Sequence, residues 1–176
     1  MCEAILCTII KEVPRVLEDP ENYDARVNIM WAGTMAHNNI CGVGREQDWN
    51  SHGLEHELSG LYDVAHGAGL AVTMPATFTY VMNEDIMRFA KIAVRVWGCE
   101  MDYEHPETTA KAGIESLRRF LISIGMPKNF EELGAKEEDI PYLAKMVTEG
   151  GGRGGVFHGF CDLTKEDCEK IYKLML

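Results

Sequence analysis

Three of the six histidines, His52, His56 and His66, fall within fifteen residues, interleaved with carboxylates and glycines in the run from Gln47 to Ala71. Imidazoles clustered in this way suit two kinds of chemistry, the holding of a divalent metal ion and the relay of a proton. Asp48, Asn50 or Ser51 can cap a helix that starts here, which puts His52 and His56, at i and i+4, on one face. His66 follows His52 by fourteen residues. In one straight helix, at ~1.5 Å per residue, that spacing would separate the two by roughly 21 Å. A shared site therefore requires the chain to turn back, and Gly60, Asp63 and Gly67 supply the breakpoints. A single histidine is more often a hydrogen-bonded core or surface residue than a ligand. Three beside carboxylates favour chemistry, but spacing alone does not choose among them.

A rival pattern fits the same letters. His52-Gly53-Leu54-Glu55-His56 is H-x-x-E-H, in which two helical histidines hold zinc and the glutamate acts as general base of a hydrolase. Gly53 inside the motif and the lack of a recognisable third ligand weigh against that reading. It would require zinc on both His52 and His56.

The elements that must position these residues are helical. Ile5, Leu6, Ile9, Ile10, Val13, Val16 and Leu17 recur at helical spacing from the first residues onward. With no capping residue ahead of them, the expectation is that something lies upstream. Pro20 ends that stripe, and Asn22 can cap a second helix from about Tyr23 to about Asn38, whose nearly continuous apolar residues predict burial on most faces. Asp85 opens a stripe through Ile86, Phe89, Ala90, Ala93, Val94 and Trp97, and Gly98 closes it. Pro106 starts another stripe that runs to Ile124. Two shorter helices follow, one near Ile140 to Val147 and one from Lys165, capped by Thr164 with Asp167.

Gly150-Gly151-Gly152-Arg153-Gly154-Gly155 lacks the order of a phosphate-binding loop and is expected to be a flexible linker. No period-two run bounded by turns stands out, so the expected fold class is all-α. The 176 residues are expected to form a single helical domain.

Composition narrows the partners. Carboxylates outnumber lysine and arginine 28 to 17, for a net charge of −11, which argues against nucleic acid and against an anionic membrane surface. Glu3, Lys11 and Glu12 interrupt the apolar start, so neither a signal peptide nor a membrane span is expected. The cysteines at 2, 7, 41, 99, 161 and 168 form no CxxC pair and sit mostly in apolar stretches. They are expected to be reduced thiols of a cytoplasmic protein. Among the other histidines, His37 is expected to be a polar helix end and His105 an exposed helix start, while His158 has no evident partner.

The chain resembles the C-terminal domain of the iron-containing, or group III, alcohol dehydrogenases, and most closely their butanol dehydrogenase-like branch. The matching blocks are Asn22 to Arg26, Ile29 to Ala32, Asp48-Trp49, His52, His56 to Ser59, His66-Gly67, Leu70-Ala71, Met74-Pro75 and Ile171 to Lys173. They span nearly the whole chain. The resemblance implies a helical bundle-like domain of the dehydroquinate synthase-like fold, which follows a dinucleotide-binding domain and closes an active-site cleft against it.

It also implies that His52 and His66 are metal ligands, alongside an aspartate and a further histidine. His56 would be a catalytic or proton-relay residue near the nicotinamide of NAD(P). The implied metal is Fe²⁺, with Zn²⁺ as the alternative. Such an ion lowers the pKa of an alcohol oxygen, so that hydride can pass to the nicotinamide ring; reversed, it polarises an aldehyde.

The departures are large. The family's aspartate and first histidine ligand have no counterpart here, and Gly42-Val43-Gly44 continues as Arg45-Glu46-Gln47, which is no dinucleotide fingerprint. The expectation is therefore a chain that holds metal weakly or not at all, inactive by itself and inclined to self-associate through its uncovered cleft wall. A scaffold or oligomerisation module with a relict site is the alternative from a different class.

Overall fold

In the computed structural model, which describes residues 1–176, nine α-helices follow one another without a sheet: α1 (Cys2–Glu18), α2 (Tyr23–His37), α3 (Asn50–Tyr62), α4 (His66–Val81), α5 (Ile86–Trp97), α6 (Pro106–Ser123), α7 (Phe130–Leu133), α8 (Ile140–Met146) and α9 (Lys165–Lys173). The fold is all-α. Two isolated bridges, Arg153 with Val156 and Phe157 with Leu163, are the only extended pairings.

Local chemistry explains where the helices begin and end. The Asn22 side chain accepts the Ala25 N–H at the start of α2, and Asp85 accepts the Arg88 N–H at the start of α5. Gly98 stops α5 with φ 70°, a left-handed position that costs glycine nothing. Thr164 and Asp167 form a reciprocal capping box on α9.

The core gathers Leu54 and Leu58 of α3, Val72 and Ala76 of α4, Phe89 and Ala90 of α5, Ala110 and Ile114 of α6, and Leu143, Leu163, Ile171 and Tyr172 near the C-terminus. Helix α4 runs through its middle and touches α3, α6, α7 and α9. Helices α5 and α6 approach so closely that a Cβ at Gly113 would stand 2.5 Å from that of Ala93.

Two expectations need correction. Helix α2 is not buried on most faces: it packs on α1 and buries only Ala25 and Ala32, leaving Met30 73% and Trp31 65% exposed. The apolar run of this helix thus stands open on one side. The glycine run is not a linker between units either. A π-turn at Val147–Gly151 leads into a tight return that packs on α3, where the Phe157 ring fills the space a Cβ at Gly53 would need. Of the six cysteines, only Cys168 is buried, although all six are unpaired.

Candidate metal centre

The chain turns back between the histidines at the place that was required. Helix α3 ends on Asp63, whose φ of 54° and ψ of 36° lie in the left-handed region that Asp tolerates, and α4 begins at His66. The reversal brings His66 onto the face of α3 that carries His52 and His56. Its ring centre lies 5.4 Å from each of theirs, while His52 and His56 are 6.3 Å apart. All three predicted residues meet.

None of the three predicted caps is the N-cap of α3. That place falls to Trp49, which has no side-chain cap and stands edge-on to His52 at 4.9 Å; Asn50 and Ser51 are already helical. Asp48 instead accepts two N–H groups, from Asn50 at 3.1 Å and from Phe160 at 3.0 Å. The Asn50 amide donates to the Cys161 carbonyl at 2.8 Å, and the buried Tyr172 hydroxyl donates to the Leu54 carbonyl at 2.7 Å. Segments more than a hundred residues away in sequence therefore fix α3 along its first two turns.

Beneath the histidines lies Glu55, which the sequence offered only as the general base of the H-x-x-E-H pattern. Glu55 is fully buried, and its carboxylate accepts hydrogen bonds from His66 Nδ1 and from the Ser59 hydroxyl. Gly69 of α4 makes room for it, since a Cβ there would fall 2.4 Å from Glu55 Oε1 and 2.7 Å from Cγ. With Glu55 ionised and the ring neutral, the His66 proton sits on Nδ1 and the Nε2 lone pair is free.

The donor chemistry suits a divalent ion. Burial, followed by the neighbouring His66 and His56, holds the His52 imidazole below the ordinary histidine value, so at neutral pH it offers a lone pair and not a charge. With metal–nitrogen bonds of ~2.0–2.1 Å, two imidazole centres on one ion can be at most roughly 6.4 Å apart, and about 5.2 Å at a tetrahedral angle. The His52–His66 and His56–His66 separations of 5.4 Å fit such an angle, whereas 6.3 Å between His52 and His56 demands nearly linear ligation.

Glu55, His56 and His66 have ligand atoms within 4.8 Å of one another, a group that does not include His52. Within it Glu55 is already hydrogen-bonded to His66.

The remaining histidines lie elsewhere. His37 ends α2 and His105 precedes α6, both as expected. His158 does have a partner, Asp162 Oδ1 at 2.8 Å, four residues on. No helix is long and apolar enough to cross a membrane.

Histidines from two successive helices thus meet at one place in this nine-helix chain. The profile of the Fe-containing alcohol dehydrogenase family, C-terminal, matches residues 1–176, and the chain belongs to that family. It is 33% identical over 174 residues to NADH-dependent butanol dehydrogenase A of Clostridium acetobutylicum, covering 98% of this chain and 44% of that protein. It is 34% identical over 172 residues to the NADPH-dependent aldehyde reductase YqhD of Escherichia coli, covering 97% of this chain and 43% of that one.

Among solved structures, NADH-dependent butanol dehydrogenase A from Thermotoga maritima superposes with a TM-score of 0.91 at 35% identity, over 98% of this chain and 44% of that one. The chain thus spans less than half the length of the relatives it matches.

Proposed function

We propose that the 176 residues act as one helical, metal-holding domain of an alcohol dehydrogenase, with His52 and His66 as two of the metal ligands. The observation that carries this reading is the meeting of three imidazoles from α3 and α4 over the buried Glu55. A divalent ion held there, iron by family or zinc in its place, supplies Lewis-acid polarisation of an alcohol or aldehyde oxygen.

The chain's own residues do the rest. His52 presents a neutral lone pair, and His66 presents Nε2 while Glu55 occupies Nδ1. His56 is exposed beside them, placed to move a proton between a substrate oxygen and water and to lie against a nicotinamide ring of NAD(P). Small alcohols and aldehydes are the substrate class, in keeping with the butanol and aldehyde chemistry named for the relatives. Nicotinamide chemistry and six unpaired cysteines support a cytoplasmic setting.

Two imidazoles are half of the donor set implied by the family, and these residues contain no dinucleotide fingerprint. The chain alone therefore holds metal weakly and does not turn over. Alcohol-dependent reduction of NAD⁺ or NADP⁺ by the purified chain, with Fe²⁺ or Zn²⁺ added, is expected to stay at the level of the metal in buffer. Robust turnover would sink this reading.

A second reading, self-association, has its own observation. Tyr23, Met30 and Trp31 of α2 stand 77%, 73% and 65% exposed along one helix, an apolar stripe that tends to be covered. Sedimentation at increasing concentration tests it, and a strict monomer would count against it. The hydrolase reading loses support, because Glu55, its general base, is fully buried and already committed to His66 and Ser59.

A further inference from the structure

We infer that Glu55 is a positioning residue of the metal site: a buried carboxylate that fixes the tautomer and the direction of His66, so that Nε2 faces His52. This inference rests on the metal reading above. Four observations on separate residues support it.

Glu55 has no exposed surface, in a chain whose other acidic side chains, Glu12 apart, all reach solvent. A buried carboxylate is costly unless it is hydrogen-bonded, so its place implies partners that the fold maintains. Both oxygens are in fact occupied, one by the ring of His66 and the other by the hydroxyl of Ser59 one turn along α3.

The surrounding backbone is built to admit it. Gly69 lies one turn after His66 on α4, and any side chain there would collide with the Glu55 carboxylate at 2.4 Å. Gly67, the other glycine of α4, meets nothing within 4 Å, so on this helix the need for a missing Cβ falls at the position facing Glu55. The Ser59 hydroxyl, whose one proton serves either Glu55 or the Val64 carbonyl 3.1 Å away, sets the carboxylate beside the α3–α4 turn. The turn that delivers His66 and the carboxylate that orients it are one structure.

The consequence for a metal follows from the two nitrogens of imidazole. With Nδ1–H donated to a carboxylate, Nε2 is the only donor left, its direction is set and its basicity is raised. Neither His52 nor His56 has a carboxylate partner for its ring, so of the three histidines only His66 is prepared as a ligand in this way.

The test uses the 176-residue chain labelled with ¹⁵N and read by long-range ¹H–¹⁵N correlation of the imidazoles, with His66 assigned from its loss in His66→Gln. At a pH above the histidine range and without metal, His66 is expected in the Nδ1–H form, against the Nε2–H form that free histidine prefers. Zn²⁺ titrated into the same sample is expected to shift Nε2 of His52 and His66. Glu55→Gln, which preserves volume, is expected to let the Nε2–H form of His66 appear and to weaken zinc binding 10- to 100-fold, the range usual for carboxylate partners of ligating histidines. Glu55→Ala should do the same more strongly.

A wild-type His66 mainly in the Nε2–H form would overturn the inference, with no variant needed. Zinc affinity unchanged in Glu55→Gln would overturn the role of Glu55 while leaving the metal reading intact. Zinc that shifts neither His52 nor His66 in the wild-type chain would overturn the metal reading, and the tautomer recorded beforehand separates that failure from a failure at Glu55.

Discussion

Replacing Gly69 by alanine adds one methyl group to a helix, a change that by propensity alone stabilises an α-helix by about 1 kcal/mol. The surroundings reverse the sign. The new Cβ would stand 2.4 Å from Glu55 Oε1, 2.7 Å from Cγ and 2.9 Å from Cδ, so the whole side chain must move and not only its tip. Glu55 has no solvent to move into. Overpacking of this kind costs about 1–3 kcal/mol, and each hydrogen bond lost from a charged group costs about 1.5–3 kcal/mol more.

With one such bond broken and the helical gain subtracted, Gly69→Ala should destabilise the chain by about 1.5–5 kcal/mol. Gly60→Ala is the matched control, also inside a helix but with nothing within 4 Å of the new Cβ; it should stabilise by up to about 1 kcal/mol. Urea unfolding followed by circular dichroism at 222 nm measures both. Equal stability of the two variants would refute the claim that α4 is shaped around the Glu55 carboxylate.

Gly113→Ala should destabilise by about 1–3 kcal/mol in the same assay, because its Cβ meets that of Ala93 at 2.5 Å and must push α5 from α6; no loss would mean that the helices are free to separate. Tyr172→Phe should cost about 1 kcal/mol, since the ring remains while the hydroxyl bond to the Leu54 carbonyl is lost, and a neutral result would mean that this bond contributes nothing to the seating of α3.

Burial, with Asp167 nearby, pushes the Cys168 thiol up from 9.0 to about 12, and burial with the Asp167 hydrogen bond pushes Tyr80 up from 10.0 to about 12. Both acids hold their protons more tightly when folded. The stability they contribute is complete below about pH 9 and is lost as pH rises towards about 12. Urea midpoints should fall across that window and fall less steeply in Cys168→Ala; midpoints level through it would contradict the argument.

What could be foreseen from the sequence depended on how local its cause was. The capping of α5 by Asp85 and Gly98 and the box of Thr164 with Asp167 are settled within a few residues, and they stand where expected. The reversal near Asp63 was also foreseeable, because three histidines can share a site only if the chain turns.

Helix α2 failed as a prediction because apolar composition says that a face seeks cover, not that the cover is present: Met30 and Trp31 point away from α1. Glu55 stood in the sequence only as the general base of a rival motif, and its burial was missed for the opposite reason. A carboxylate inside a helix reads as solvent-facing by hydropathy, and its burial depends on Gly69 and His66 arriving from the next helix. Gly53 and Gly69 look like weak points of helices, yet each marks a close approach, one to Phe157 and the other to Glu55. Such tertiary causes leave no periodic trace.

A crystal of the chain soaked in Zn²⁺ and measured at the zinc absorption edge tests the central claim most directly. The account predicts one ion roughly 2.0–2.1 Å from Nε2 of both His52 and His66, with His56 unbound and Glu55 still on His66 Nδ1. An ion shared by His52 and His56, or one ligated by the Glu55 carboxylate, would contradict it.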